Sequence, residues 1–318
     1  MQLYSGVTTI RCVGGVDNFD SELRDKIAKN EVIGPRILTS NMGITVPEGH
    51  CANYLAYVAN NEQEVISYVE KLDHENVDLI KLMITGGVLD AKKWGEPGVL
   101  RMPSSYIKVA CDKAHELGYK VAAHIESQEG LRVALQNGVD SIEHGGYPDA
   151  EIISLFKKRN AALVSTLSVG IPFVLQDKGI GQRSIVEHNG IVVFEGMVEC
   201  VKQCLENHIM VGLGNDAGCP YVTHYDFWRE LYYLHKYCNV SNNYAIHCAT
   251  LQNAKIAGID SICGSIEKGK SADFLICEKN PLKDLRNLKN VSMVISRGNM
   301  YTSPTLHRFE KVEALLNL

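Results

Sequence analysis

Short β-branched runs alternate with longer amphipathic stretches along most of this chain, and that alternation restricts the fold more than any other feature. Residues 6–13 (GVTTIRCV), 36–40, 77–83, 120–124, 139–144, 161–167 and 209–213 read as strands. Residues 21–29, 63–72, 104–117, 128–137, 151–159 and 192–207 read as the helices between them. Parallel neighbours need a long return connection, so the pattern predicts an α/β protein with a parallel sheet and helical crossovers. Two architectures fit, an open doubly wound sheet or a closed (β/α)₈ barrel. The seven strands centred near residues 9, 38, 80, 122, 142, 164 and 211 are one short of closure.

Beyond residue 216 come two predicted helices, 226–236 and 242–256, then β segments at 264–277 and 291–301 with Lys-Gly, Asn-Pro and Arg-Gly turn signals. The expected organisation is a barrel over residues 1–257, a partial C-terminal β-sandwich appendage over 258–305, and a tail over 306–318 with a short terminal helix. Residues 41–60, 83–103 and 168–189 read as long βα loops. At 318 residues, one large domain with a small appendage is a natural division.

The formal charge of −5, with basic residues scattered, argues against nucleic acid as the main partner. The first ten residues, MQLYSGVTTI, lack the basic and apolar regions of a signal peptide, and no apolar run is long enough to span a membrane. Ten cysteines in such a chain point to reduced thiols in the cytoplasm. Cys200 and Cys204 sit four apart on a predicted helix without a second matching pair, which reads as packing rather than metal binding.

Polar residues cluster at the ends of the predicted strands. Lys81 lies in VDLIKL, His124 ends KVAAH, His144 ends VDSIEH, and Asp216 follows the last strand in VGLGNDAG. Barrel active sites sit at the C-terminal strand ends, so these residues converge on one mouth. Two imidazoles and a carboxylate suit zinc or a similar divalent ion. Each residue also has a structural reading: a bonded strand-end histidine, a snorkelling lysine, a turn aspartate. Their order on successive strands favours the metal site.

At these residues the chain resembles the amidohydrolase superfamily, in the branch of Xaa-Pro dipeptidase-like, aminoacyl carboxypeptidase-like and imidazolonepropionase-like proteins. The resemblance rests on GVTTIRCVGG, IKLMITGGV, VAAHIES, SIEHGG, LGNDAG and GSIEKGKSADFLI with NPL, nearly end to end. It implies a metal-dependent hydrolase of amide or peptide C–N bonds in small substrates such as dipeptides or N-acyl amino acids. One or two divalent ions, zinc first, would lower a water pKa to ~7 and supply hydroxide at neutral pH.

Lys81 matches the lysine that is carboxylated to a carbamate between two metals, and His124 and His144 match imidazole ligands of one of them. Asp216 matches the carboxylate that binds the other and handles the proton of the attacking water. His50, Tyr147 and His224 match positions near the substrate.

The family pattern also includes a first barrel strand ending in His-x-His, preceded by sandwich strands. This sequence contains no His-x-His, and GVTTIRCVGG corresponds to the second strand. Cys12 stands where the family often has Asp. The barrel is therefore expected without its first strand, with two unpaired edges that favour association, including a homo-oligomer. Truncation, completion by another chain, and a degenerate paralogue that binds a ligand or partner without hydrolysis all fit. The survival of every later motif favours truncation.

Overall fold

A computed structural model of the chain describes residues 1–177 and 179–317. β1 (Thr9–Cys12) and α1 (Phe19–Ala28) lead to β2 (Arg36–Thr39), β3 (Gly43–Thr45) and β4 (Ala56–Val58). Then α2 (Glu62–His74), β5 (Ile80–Met83), α3 (Ser104–Glu116), β6 (Val121–Ile125), α4 (Gln128–Gln136), β7 (Ser141–His144), α5 (Ala150–Arg159) and β8 (Ala162–Ser165) alternate strictly. α6 (Ile171–Leu175) and α7 (Ile185–Glu206) precede β9 (Val211–Leu213), which α8 (Phe227–Cys238), α9 (Asn242–His247) and α10 (Asn253–Ile256) follow. β10 (Phe274–Cys277), β11 (Val291–Ser296), β12 (Asn299–Thr302) and α11 (Glu310–Leu315) complete the order.

Local chemistry sets the starts of these helices. Asn61, Ser127, Asp149 and Ser184 each accept the backbone N–H three residues on, the ordinary N-cap bond. At Ser184 the Glu187 carboxylate returns a bond to the Ser184 N–H (2.7 Å), closing a capping box. That box starts α7 seven residues before the position expected from apolar spacing, inside the expected loop 168–189, which α6 also interrupts.

The expected loop 41–60 likewise holds β3 and β4, paired in parallel register with Ile44 opposite Tyr57. Ile44 is fully buried, so the short run Gly-Ile-Thr is packed as core. Asn41, at φ 50, breaks the chain between β2 and β3, and its side chain bonds Ser21 Oγ and Glu75 Oε2. Of the β segment expected at 264–277, only the last four residues form a strand.

Seven parallel strands pair in the order β4-β3-β5-β6-β7-β8-β9, β1 pairs in parallel with β2, and β10, β11 and β12 form an antiparallel sheet. Arg11 of β1 reaches Glu143 (2.8 Å) and Ser141 (3.1 Å) of β7. Those strands are far apart in pairing order, so the contact crosses the interior of a sheet curved back on itself. Alternate residues on the strands then have opposite duties. Ile80, Leu82, Val121, Ala123, Ile125, Ile142 and Leu163 pack outward with Leu72, Ile107, Leu131 and Phe156 of the helices, all fully buried. Lys81, Met83, His124 and Glu143 face inward, where they line a cavity of ≈ 1410 Å³.

β5 to β8 are buried along their whole length, whereas every residue of β1 is half-buried. The cavity accounts for the difference, because it runs along β1 from Thr8 to Gly14 and along the chain after β9 from Leu213 to Ala217. No helix among the described residues is long and apolar enough to cross a membrane. All ten cysteines are free thiols, with Cys200 and Cys204 fully buried against the sheet.

β9 ends the seven-stranded sheet. Gly214 turns its N–H to Ser165 of β8, so Leu213 presents its own N–H and C=O on the other edge. The Asn253 side-chain amide takes both, each at 2.8 Å, and so stands in for a strand partner. Replacing Asn253 with Ala should therefore lower stability by about 1–3 kcal/mol, the cost of leaving such groups unsatisfied. Urea unfolding should show an earlier midpoint at unchanged m-value; an unchanged midpoint would mean that the amide does not support the β9 edge.

Candidate metal and substrate site

His124 is the penultimate residue of β6 and His144 the last of β7, neighbouring strands whose register sets Ile125 opposite His144. Inward and outward residues should alternate, yet Glu143 and His144 both line the cavity. The backbone of His144 explains this: its φ of 72 lies in the left-handed region, which turns the side chain inward where the pleat would send it out. Such a conformation is costly for a residue with a Cβ, and it recurs at functional sites.

The two imidazoles meet edge to face with ring centroids 4.8 Å apart. With Glu126 they form a group whose candidate ligand atoms all lie within 4.8 Å of one another. Gly86 O can only accept, so His124 Nε2–H donates to it (3.3 Å) and Nδ1 is left as the ligand atom. His144 Nδ1 lies 2.7 Å from Thr166 Oγ1, which leaves Nε2. Glu126 Oε2 is buried with no hydrogen-bond partner among the described residues. An orphaned carboxylate oxygen beside two imidazoles is a donor set that fits a divalent ion.

The protonation states fit as well. Burial holds His124 well below its ordinary value, helped by the nearby His50, His144 and Lys81 charges. Burial also brings His144 down to about 4, with Asp216 opposing. Both rings are therefore neutral near pH 7, as ligation requires. Burial pushes Glu126 up to about 8 against the opposing charge of His50.

Lys81 is 2 % exposed, and burial lowers its ammonium to about 8 although Glu143 and Asp216 favour the charged form. His50 stacks on His124 with centroids 4.1 Å apart and bonds Asp90 through Nδ1. Burial alone would lower His50, but the Asp90 and Cys51 bonds outweigh it and raise the imidazole to about 10. Asp216 is exposed at φ 55, with Cys219 Sγ donating to it at 3.2 Å.

His50, Lys81, His124, His144, Asp216 and the exposed His224 thus line one cavity. Tyr147 lies outside that lining, exposed, with its hydroxyl 3.4 Å from Glu195 of α7. The close group is His124, Glu126 and His144. Glu126 was absent from the sequence-derived site, although the motif HIES carried the signal: residues two apart on a strand share a face, so Glu126 follows His124 inward.

The profile of the family described as the Amidohydrolase family matches residues 2–301. A solved structure assigned as a prolidase from Bifidobacterium longum is 39% identical, superposes with a TM-score of 0.91, and is matched over 99% of this chain and 78% of that one. A solved Xaa-Pro dipeptidase with bound methionine is 30% identical, with a TM-score of 0.84 over 95% of this chain and 76% of that one. The ochratoxinase of Aspergillus niger is 22% identical over 95% of this chain and 67% of its own length. The parallel α/β sheet, the C-terminal antiparallel sheet and the family match together make this chain a hydrolase of the amidohydrolase family, built on that family's TIM-type barrel.

Proposed function

We propose that this hydrolase cleaves C–N bonds of small amides, with dipeptides and N-acyl amino acids as the substrate class, at a divalent-metal site. The observation that carries the reading is the convergence of two neutral imidazoles and a buried, unpartnered carboxylate oxygen of Glu126 in a cavity that an almost wholly buried lysine also lines. The similarity to the Xaa-Pro dipeptidase supports the substrate class. A divalent ion, zinc being the first choice for this donor set, would supply Lewis acidity and lower the pKa of water to ~7.

The chain's own residues then divide the work. His124 would offer Nδ1, His144 Nε2, and Glu126 its free oxygen to such an ion. Lys81, lowered to about 8, loses its proton more readily than an ordinary lysine, and CO₂ would convert the resulting free amine to a carbamate with loss of a further proton. That reaction would change a buried cation into an anionic ligand. Asp216 stands beside this group at the cavity and would take the proton of the attacking water to the leaving nitrogen.

His50, a cation near pH 7 against Asp90, and His224, which line the same cavity, would meet a substrate carboxylate. Tyr147, outside the lining, is the weakest of these contacts. Ten free thiols fit a cytoplasmic location. A ligand-binding relative without turnover is the competing reading. It draws on the half-buried β1 and on Asp216 lying exposed outside the close group.

Turnover and metal content separate the two readings. Purified after growth with zinc and bicarbonate, the chain should carry at least about one tightly bound divalent ion and hydrolyse members of a dipeptide and N-acyl amino acid panel. His144→Ala should lose both. His188→Ala should lose neither, because His188 packs on Trp94 and belongs neither to the group nor to the cavity lining. Metal-free protein that folds identically and turns over nothing would favour the competing reading.

Metal affinity should also climb with pH. Between pH 6 and 8 both histidines are already neutral, whereas Glu126 and Lys81, each near 8, still have protons to lose. Binding must expel those protons, so chelator competition should show about tenfold tighter binding per pH unit for each proton released. Glu126→Gln should flatten that slope, and an affinity independent of pH in the native chain would contradict the assignment of Glu126.

A further inference from the structure

Glu230 on α8 is fully buried, does not itself line the cavity although its neighbour Leu231 does, and has no place in the chemistry described above. Its carboxylate accepts four hydrogen bonds. Oε1 takes Ser165 Oγ (3.1 Å) and the Leu167 N–H (2.8 Å); Oε2 takes the Ser168 N–H (2.8 Å) and Ser168 Oγ (2.6 Å). A carboxylate has about four acceptor positions, and all four are filled. Burial pushes this carboxyl up to about 7 in spite of those donors.

The donors belong to residues on both sides of one position, Thr166. Thr166 itself sits at φ −139, ψ 48, between the strand and helix regions, at the point where β8 gives way to a single 3₁₀ turn. Held there, its hydroxyl oxygen lies 2.7 Å from His144 Nδ1 and 3.6 Å from Met197 Sδ. Thr166 has one hydroxyl proton. With that proton directed at the Met197 sulfur, the oxygen is left to accept Nδ1–H from His144.

We propose that Glu230 is a positioning residue: by clamping Ser165, Leu167 and Ser168 it holds Thr166 Oγ1 as the acceptor that keeps His144 in its Nδ1–H tautomer, with Nε2 free to bind a metal. The opposite arrangement, with Thr166 donating to Nδ1, would put the ring proton on Nε2 and block the ligand lone pair. The metal part of this inference rests on the function proposed above. The tautomer part does not, since it concerns the metal-free chain.

The experiment labels histidine with ¹⁵N and reads the His144 tautomer in metal-free protein, then measures zinc affinity by chelator competition. Native protein should show Nδ1–H. Thr166→Val and Glu230→Gln should retain the folded circular-dichroism spectrum, shift His144 toward Nε2–H, and weaken zinc binding by about 10- to 100-fold. Thr166→Ser, which keeps the hydroxyl, should restore both readouts. The double variant Glu230→Gln/Thr166→Val should bind zinc no more weakly than Thr166→Val, because both act through one bond.

A Glu230→Gln chain that melts earlier but keeps the native tautomer and zinc affinity within about twofold would overturn the proposal and leave Glu230 as a turn-closing group. Should Glu230→Gln not fold, Ser168→Ala removes one donor from the same clamp. A changed His144 tautomer there supports the proposal, and an unchanged one overturns it. If the native chain shows Nδ1–H yet binds no zinc, the metal reading fails while the clamp stands.

Discussion

Parallel pairing of β5, β6, β7 and β8 sets the depth of every inward side chain, and the rest of the molecule answers to that register. Met83 opposes His124, and Ile125 opposes His144, so the two imidazoles arrive at one level. Lys81, opposite Ala122, lies two residues deeper than that level. A slip of one residue in β6 would send His124 into the helix layer and Ala123 into the cavity. Fully buried Ile80, Leu82, Ala123 and Ile142 on the outward face make such a slip expensive, so apolar packing fixes where the ionisable groups stand.

That placement puts charges where water does not reach, and burial then dominates their chemistry. It lowers Lys81 to about 8, keeps both histidines neutral and raises Glu126 to about 8. Two ion pairs tie this interior together: Arg11 with Glu143 at 2.8 Å across the barrel, and Arg36 with Asp273 at 3.1 Å where β2 meets the C-terminal segment. Lone buried ions are unfavourable, and these pairs link the barrel wall to itself and to the segment carrying β10.

Much of this was legible in the sequence, because period-two alternation and strand-end polar residues are local signals. Lys81, His124, His144 and Asp216 were found that way, and all four line one cavity. Other features depend on non-local contacts and were not legible. β3 and β4 are three-residue strands whose formation depends on pairing with each other and with β5. The inward turn of His144 depends on a left-handed backbone that no residue preference announces. The four donors to Glu230 come from β8 and the loop after it, 62 to 65 residues earlier in the chain, a relation that no local pattern carries.

The central claim is that one divalent ion sits among His124, Glu126 and His144. Anomalous diffraction from a zinc-soaked crystal, collected on both sides of the zinc edge, tests it most directly. The account predicts a peak within ligand distance, ~2.0–2.2 Å, of His124 Nδ1, His144 Nε2 and a Glu126 oxygen. A peak bound through the opposite imidazole nitrogens, or one lying elsewhere with this group unliganded, would contradict it.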